Sequence, residues 1–295
     1  MKTLKAALYA LALLSGSAQA QTMKDFLAQI SAKWSVPFPP FRLIDNIYYV
    51  GTDGIAVYVI KTSEGLILID TAIPKLTGMV KDNIAKLDFK ESDIKVILNT
   101  HAHYDHTGGF AEIKKDTGAQ LVAGARDKPL LEGGYYPGEE QNADFGFPPV
   151  KVDRTVVEGD KVTLGDTTLT AHATPGHSPG CTSWEMTVRD GNQDRQVLFF
   201  CSGTVAANRL VGNPTHVGIV DDYKSTYARV KAMKIDVLLG PHPEVYGMQA
   251  KRAQMKDGAP NPFVQPGELA TYAATLEADF DKALAKQTAA LQKGN

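Results

Sequence analysis

The chain has 295 residues, 43% of them hydrophobic and 22% charged, the balance of an ordinary soluble globular protein. Its 31 Lys and Arg nearly cancel its 33 Asp and Glu, and no block of like charge occurs, so nothing points to nucleic acid or an anionic membrane as a partner. The length is compatible with one large domain or two small ones.

The first twenty residues, MKTLKAALYALALLSGSAQA, place Lys2 and Lys5 before an apolar run from Ala6 to Leu14 and end in AQA, the form of a signal-peptidase site. That run is too short for a membrane span, which takes about 20 residues. The expectation is an export signal over 1–20 cleaved after Ala20, a single mature domain over 21–295, and a periplasmic address with no membrane contact after cleavage. Losing two lysines and no acids moves the formal net charge from −2 to −4. The two cysteines, Cys181 and Cys201, form an even pair that can bridge in an oxidising compartment; two buried free thiols are the alternative.

NIYYVG (46–51), IAVYVIKT (55–62) and GLILIDT (65–71) are short apolar runs rich in β-branched and aromatic residues, and they read as strands, with TSEG as a hairpin turn between the last two. Leu76, Val80, Ile84 and Leu87 recur at helical spacing. DIKVILNT (93–100) follows as a buried strand, and FAEIKKDTG as a short helix stopped by Gly118. The second half repeats the plan. RTVVEGDKVTLGDTTLTAHAT (154–174) reads as strands with tight Gly-Asp turns, and RQVLFFC (195–201) as a buried strand. A helix with Tyr223, Tyr227 and Val230 on one face leads into the strand DVLLG. From Pro266 onward, Leu269, Tyr272, Leu276, Phe280 and Leu284 form the apolar stripe of an amphipathic helix. Two packed sheets with helices outside are predicted. The longest stretch without a clear element, 132–149, has the length of a functional loop.

Three of the seven histidines fall within HAHYDH, residues 101–106. Imidazole and carboxylate are common zinc ligands. In an extended segment residues two apart point the same way, so His101 and His103 can grip one ion while Asp105 and His106, after the strand ends, face a neighbouring position. Packing does not explain the cluster, because three buried histidines beside an aspartate carry a heavy desolvation cost. One hexapeptide cannot complete two coordination shells. His177 in TPGHSPG and His242 in LLGPHPE both follow strands in Pro/Gly-bracketed loops, and are the candidate remaining ligands. His172, within a strand, is assigned a structural or supporting role, and His216 a surface or loop role.

HAHYDH, followed 71 residues after His106 by His177 and 65 later by His242, resembles the metallo-β-lactamase superfamily, and GLILIDT matches the strand that this family ends in an aspartate, here Asp70. The resemblance implies an α/β fold, a four-layer αβ/βα sandwich with a dinuclear metal site at one edge. Hydrolases of the family outside the β-lactamases usually carry a bridging aspartate between the last two histidines. From Val197 to Asn213 this chain has no Asp or Glu, and Ser202 and Gly203 stand where the acid is expected.

The segment is similar instead to subclass B3 metallo-β-lactamases. That resemblance implies two Zn(II) ions, one on His101, His103 and His177 and the other on Asp105, His106 and His242. It implies a Cys181–Cys201 disulfide, and Ser202 and Thr204 as hydroxyls holding the substrate carboxylate, with Gln141 in the long loop as a further substrate contact. The implied activity is hydrolysis of the β-lactam amide of penicillins, cephalosporins and carbapenems by a zinc-bound hydroxide oriented by Asp105, conferring antibiotic resistance. The alternatives are a lactonase or thioesterase of the same fold, and a non-catalytic metal-binding protein. Small-molecule substrate and a monomeric state complete the expectation.

Overall fold

A computed structural model describes residues 29–138 and 143–294. The segment 1–20 and Gln141 lie outside the described residues.

Seven strands lie side by side in chain order: β1 (Phe41–Ile44), β2 (Ile47–Tyr49), β3 (Tyr58–Thr62), β4 (Gly65–Ile69), β5 (Ile94–Leu98), β6 (Gln120–Gly124) and β7 (Arg154–Val156). The first four pair antiparallel, and the Thr62↔Gly65 pair closes the hairpin predicted at TSEG. From β4 onward the pairing is parallel, because each connection crosses over through a helix. These are α1 (Thr77–Ala85), then α2 (Tyr104–Thr107) with α3 (Phe110–Thr117), then α4 (Lys128–Gly133). Gly118 ends α3 at φ +70°, the left-handed cap that its sequence predicted.

The second sheet has the order β12-β11-β10-β9-β8 and contains β8 (Lys161–Leu164), β9 (Thr167–Ala173), β10 (Thr182–Asp190), β11 (Gln193–Phe199) and β12 (Val237–Leu239). β12 joins parallel after the crossover helix α5 (Ile219–Ala232), and α6 (Met248–Gln254) and α7 (Glu268–Gly294) complete the chain.

Strand alternation sorts the first sheet into two cores. Tyr58, Ile60, Ile67, Ile69, Val96 and Leu98 join Trp184, Met186 and Phe199 of the second sheet. Their neighbours Val59, Leu68 and Ile97 face the other way, onto Val80, Ile84, Phe110 and Ile113 of α1 and α3. Each fully buried aliphatic or Phe side chain contributes about 1.5–3 kcal/mol, so a register slip of one residue is strongly disfavoured. Beyond the second sheet, Phe280 of α7 packs its ring 5.1 Å from Tyr223 and 5.6 Å from Tyr227 of α5. Helix, sheet, sheet and helix make the predicted four-layer αβ/βα sandwich.

Cys181 and Cys201 are bridged, with Cα atoms 5.8 Å apart across 20 residues. The bridge closes the base of the β10–β11 hairpin, immediately before Ser202.

Candidate metal centre

All three ligand-bearing loops leave strands at one edge of the sandwich: HAHYDH after β5, His177 after β9 and His242 after β12. Strand β5 ends at Leu98, so strand alternation is not what aims His101 and His103. The backbone turns instead, the His103 N–H donating to the His101 carbonyl at 3.1 Å, and Asp105 and His106 then lie on the single turn of α2. Asp70 secures the turn's entry. Its oxygens accept the Thr100 N–H at 2.8 Å and the Thr100 hydroxyl at 2.6 Å, and Asp70 itself sits at φ +57°, a conformation uncommon outside glycine.

His101, His103 and His177 have ring centroids 4.6–4.7 Å apart in each pairing. Asp105, His106 and His242 form a second group, with Asp105 Oδ2 3.2 Å from His106 Nε2 and 3.4 Å from His242 Nε2. Within each group the candidate donor atoms lie within 4.8 Å of one another. The groups adjoin, the His101 and His106 centroids being 4.4 Å apart.

The donor chemistry fits a divalent transition metal. His177 Nδ1 donates to the Thr204 carbonyl at 2.8 Å and His242 Nδ1 to the Gly54 carbonyl at 2.9 Å, which leaves each Nε2 a bare lone pair. His106 Nε2 and His242 Nε2 then face each other at 3.3 Å, His103 Nε2 is buried without a hydrogen-bond partner, and His106 Nδ1 turns away toward Asp70 Oδ2 at 3.6 Å. Two facing imidazole nitrogens and a buried unpartnered one are costly alone and favourable around a cation.

Protonation state agrees. Burial, reinforced by neighbouring histidines, pushes His101 and His103 well below the usual histidine range, and burial lowers His177 to about 4. Burial works to raise Asp105, but His106 and His242 hold it well below the usual carboxylate range. Burial lifts Asp70 to about 6, against His106 and the Thr100 hydrogen bonds. Neutral imidazoles in the tri-histidine group and an ionised Asp105 are ligand forms a metal requires. In the second group, burial works to lower the His242 pKa, but Asp105 raises it.

The expected hydroxyls stand at the rim. Ser202 Oγ is 3.3 Å from Thr204 Oγ1, which lies 3.2 Å from His177 Nδ1. His172 and His216 join neither group. His172 Nε2 meets Glu185 of the neighbouring strand β10 at 2.7 Å, and its Nδ1 meets Glu158, in the turn before β8, at 3.1 Å. His216 is in a loop, as expected, but it is buried rather than on the surface, and its Nε2 donates to Asp222 at 2.7 Å.

Four residues at the site were missed in the sequence. Tyr136 stacks on His103 at 4.5 Å and Trp34 on His242 at 5.6 Å. Asn208 donates to the His177 carbonyl at 2.9 Å, and Asp127 lies buried behind the two loops that carry the tri-histidine group. Only Tyr136 left a signal, by its place in the long loop 132–149.

Residues 50–191 match the family model of the metallo-β-lactamase superfamily. Among solved structures, the chain is similar to BJP-1, a subclass B3 metallo-β-lactamase of Bradyrhizobium japonicum, at 81% identity and a TM-score of 0.88, over 88% of this chain and 99% of that one. It is also similar to the FEZ-1 metallo-β-lactamase of Legionella gormanii, at 37% identity and a TM-score of 0.82, over 86% and 98%. A hydroxyacylglutathione hydrolase of Rhodospirillum rubrum is 43% identical over 84 residues, 28% of this chain and 26% of that enzyme. The chain spans only a quarter to a half of the first curated relatives it matches, 26% and 51% of their lengths. With both ligand groups assembled on this fold and a B3 enzyme matched over almost its whole length, the chain belongs to the metallo-β-lactamase superfamily, in subclass B3.

Proposed function

We propose that this protein is an exported, periplasmic β-lactamase that opens the amide ring of penicillins, cephalosporins and carbapenems using two zinc ions, and so confers antibiotic resistance. The observation that carries the reading is 81% identity over 99% of a subclass B3 enzyme, in a chain that brings both three-residue ligand groups to one edge. The acid-free stretch from Val197 to Asn213 supports it over a thioesterase or lactonase.

His101, His103 and His177 would hold one ion, and Asp105, His106 and His242 the other. Bound zinc supplies Lewis acidity at the lactam carbonyl and a water whose pKa falls from 15.7 to about 7. Asp105, kept ionised by His106 and His242, accepts a hydrogen bond from the attacking water and orients it. Ser202 and Thr204 donate hydroxyl hydrogens to the substrate carboxylate, placing the ring over the two groups. Tyr136 and Trp34 wall the site and exclude bulk water. The protein acts as a monomer.

Nitrocefin hydrolysis by the mature protein, with and without EDTA, is the test. Turnover abolished by chelator and restored by Zn(II) is expected; no chelator-sensitive turnover at micromolar enzyme overturns the reading. For the ligand sets, His242→Ala should bind about one zinc fewer by metal analysis.

A further inference from the structure

The carboxylate of Asp127 is fully buried between the two loops that carry the tri-histidine group. Its Oδ2 accepts the Ala102 N–H at 2.9 Å and the Ser178 hydroxyl at 2.6 Å, and its Oδ1 accepts the Gly180 N–H at 2.6 Å. Ala102 stands between His101 and His103, and Ser178 follows His177. One side chain therefore holds the backbone of both loops of the triad. None of the three donors is a cation, so the buried carboxylate is held by dipoles.

Local sequence alone would place Asp127 differently. It precedes Lys128 and Pro129 at the N-cap of α4, where an aspartate ordinarily accepts an N–H of its own helix. It makes no such bond. The long-range arrangement is built into the backbone instead: a Cβ on Gly180 would fall 2.3 Å from the Asp127 nitrogen, so glycine is what permits the approach. A residue that gives up its local role for contacts across the fold is the kind of inconsistency that marks functional positions.

We propose that Asp127 is a positioning residue for the tri-histidine metal site. Its carboxylate sets the spacing between the His101/His103 loop and the His177 loop. This inference rests on the ligand set proposed above. Asp127 does not touch the ion or the substrate; it acts through the two backbones it holds.

The test compares zinc affinities by competition with a chromophoric chelator, the absorption spectrum of the Co(II)-loaded protein, and the melting temperature of the metal-free protein. His177→Ala identifies which equivalent belongs to the tri-histidine site. Asp127→Asn keeps the size of the side chain but turns an NH2 toward N–H donors, and should weaken that equivalent by about 10–100-fold, the range for lost outer partners of metal ligands, while changing the Co(II) spectrum. Ser178→Ala, which keeps the carboxylate and removes one donor, should weaken the same equivalent by less, and serves if the asparagine variant does not fold. Asp153 accepts the Leu121 N–H at 2.8 Å away from the ligand loops, so Asp153→Asn is the structural control and should lower melting temperature without changing either zinc constant. Unchanged zinc constants in Asp127→Asn or in Ser178→Ala, or equal weakening of both sites, overturns the proposal. If His177→Ala keeps both equivalents, the ligand set fails and the inference with it. If His177→Ala loses one and Asp127→Asn loses none, only the role of Asp127 fails.

Discussion

The indole of Trp34 lies against the imidazole of His242, ring centroids 5.6 Å apart and planes 24° from parallel. The segment before β1 thus closes one side of a ligand group drawn from the middle and end of the chain. An aromatic contact of this kind contributes about 0.5–1.5 kcal/mol, which is roughly 2–12-fold in a binding constant. Trp34→Ala should weaken zinc at the Asp105/His106/His242 group by that factor and leave the tri-histidine group unchanged, as read by chelator competition. Equal weakening at both groups counts against the contact's role.

Ser202→Ala tests the substrate end of the site. A hydrogen bond to a charged group contributes about 1.5–3 kcal/mol, so KM for a β-lactam should rise roughly 10–100-fold with kcat nearly unchanged, because the interaction is made in ground state and transition state alike. An unchanged KM would remove Ser202 from the carboxylate site.

The disulfide should matter to stability more than to the fold's identity. Closing a loop of 20 residues contributes about 3 kcal/mol in the chain-entropy model. Cys181→Ser with Cys201→Ser should therefore lower the urea midpoint, and reduction with alkylation should label two thiols in the wild-type chain. Thiols that alkylate without reductant would contradict the bridge.

His172 gives the protein a pH-dependent ion-pair network away from the metal groups. Glu185, against the opposing effect of burial and with help from Glu158, raises the His172 pKa above 6.5. Arg229 of α5 pairs with Glu158 on the same face. A raised folded-state pKa stabilises fully below 6.5, and that contribution is lost as pH rises through the folded value. The difference in urea midpoint between wild type and His172→Gln should be larger at pH 6 than at pH 9. A difference that grows with pH would reverse the sign and refute the assignment.

The two candidate ligand groups were legible because their chemistry is concentrated. HAHYDH has no packing rationale, and His177 and His242 stand in Pro/Gly loops at strand ends where a core histidine has no place. The layers were legible for a similar reason, since the alternating apolar positions of β3, β4 and β5 state which face is buried. Other features depend on which distant elements meet. Trp34 and Tyr136 read as ordinary apolar residues until the sheets pack and bring them over His242 and His103. Asp127 reads as a helix cap. His216 reads as a loop histidine, and its burial depends on Asp222 one helix turn into α5. The strand β10 went unread although TSWEMTVRD alternates clearly, whereas β1, four residues long, offered too short a pattern to recognise.

Neither ligand group belongs to one sheet. His101 and His103 follow the first sheet and His177 the second; Asp105 and His106 follow the first and His242 the second. An ion at either position therefore acts as a clasp between the two halves of the sandwich. Its binding energy adds directly to the cohesion of the folded chain, about 4 kcal/mol when free metal exceeds Kd a thousandfold. If the two groups hold the proposed ions, scarcity of metal would be felt as faster clearance by proteases as well as slower catalysis.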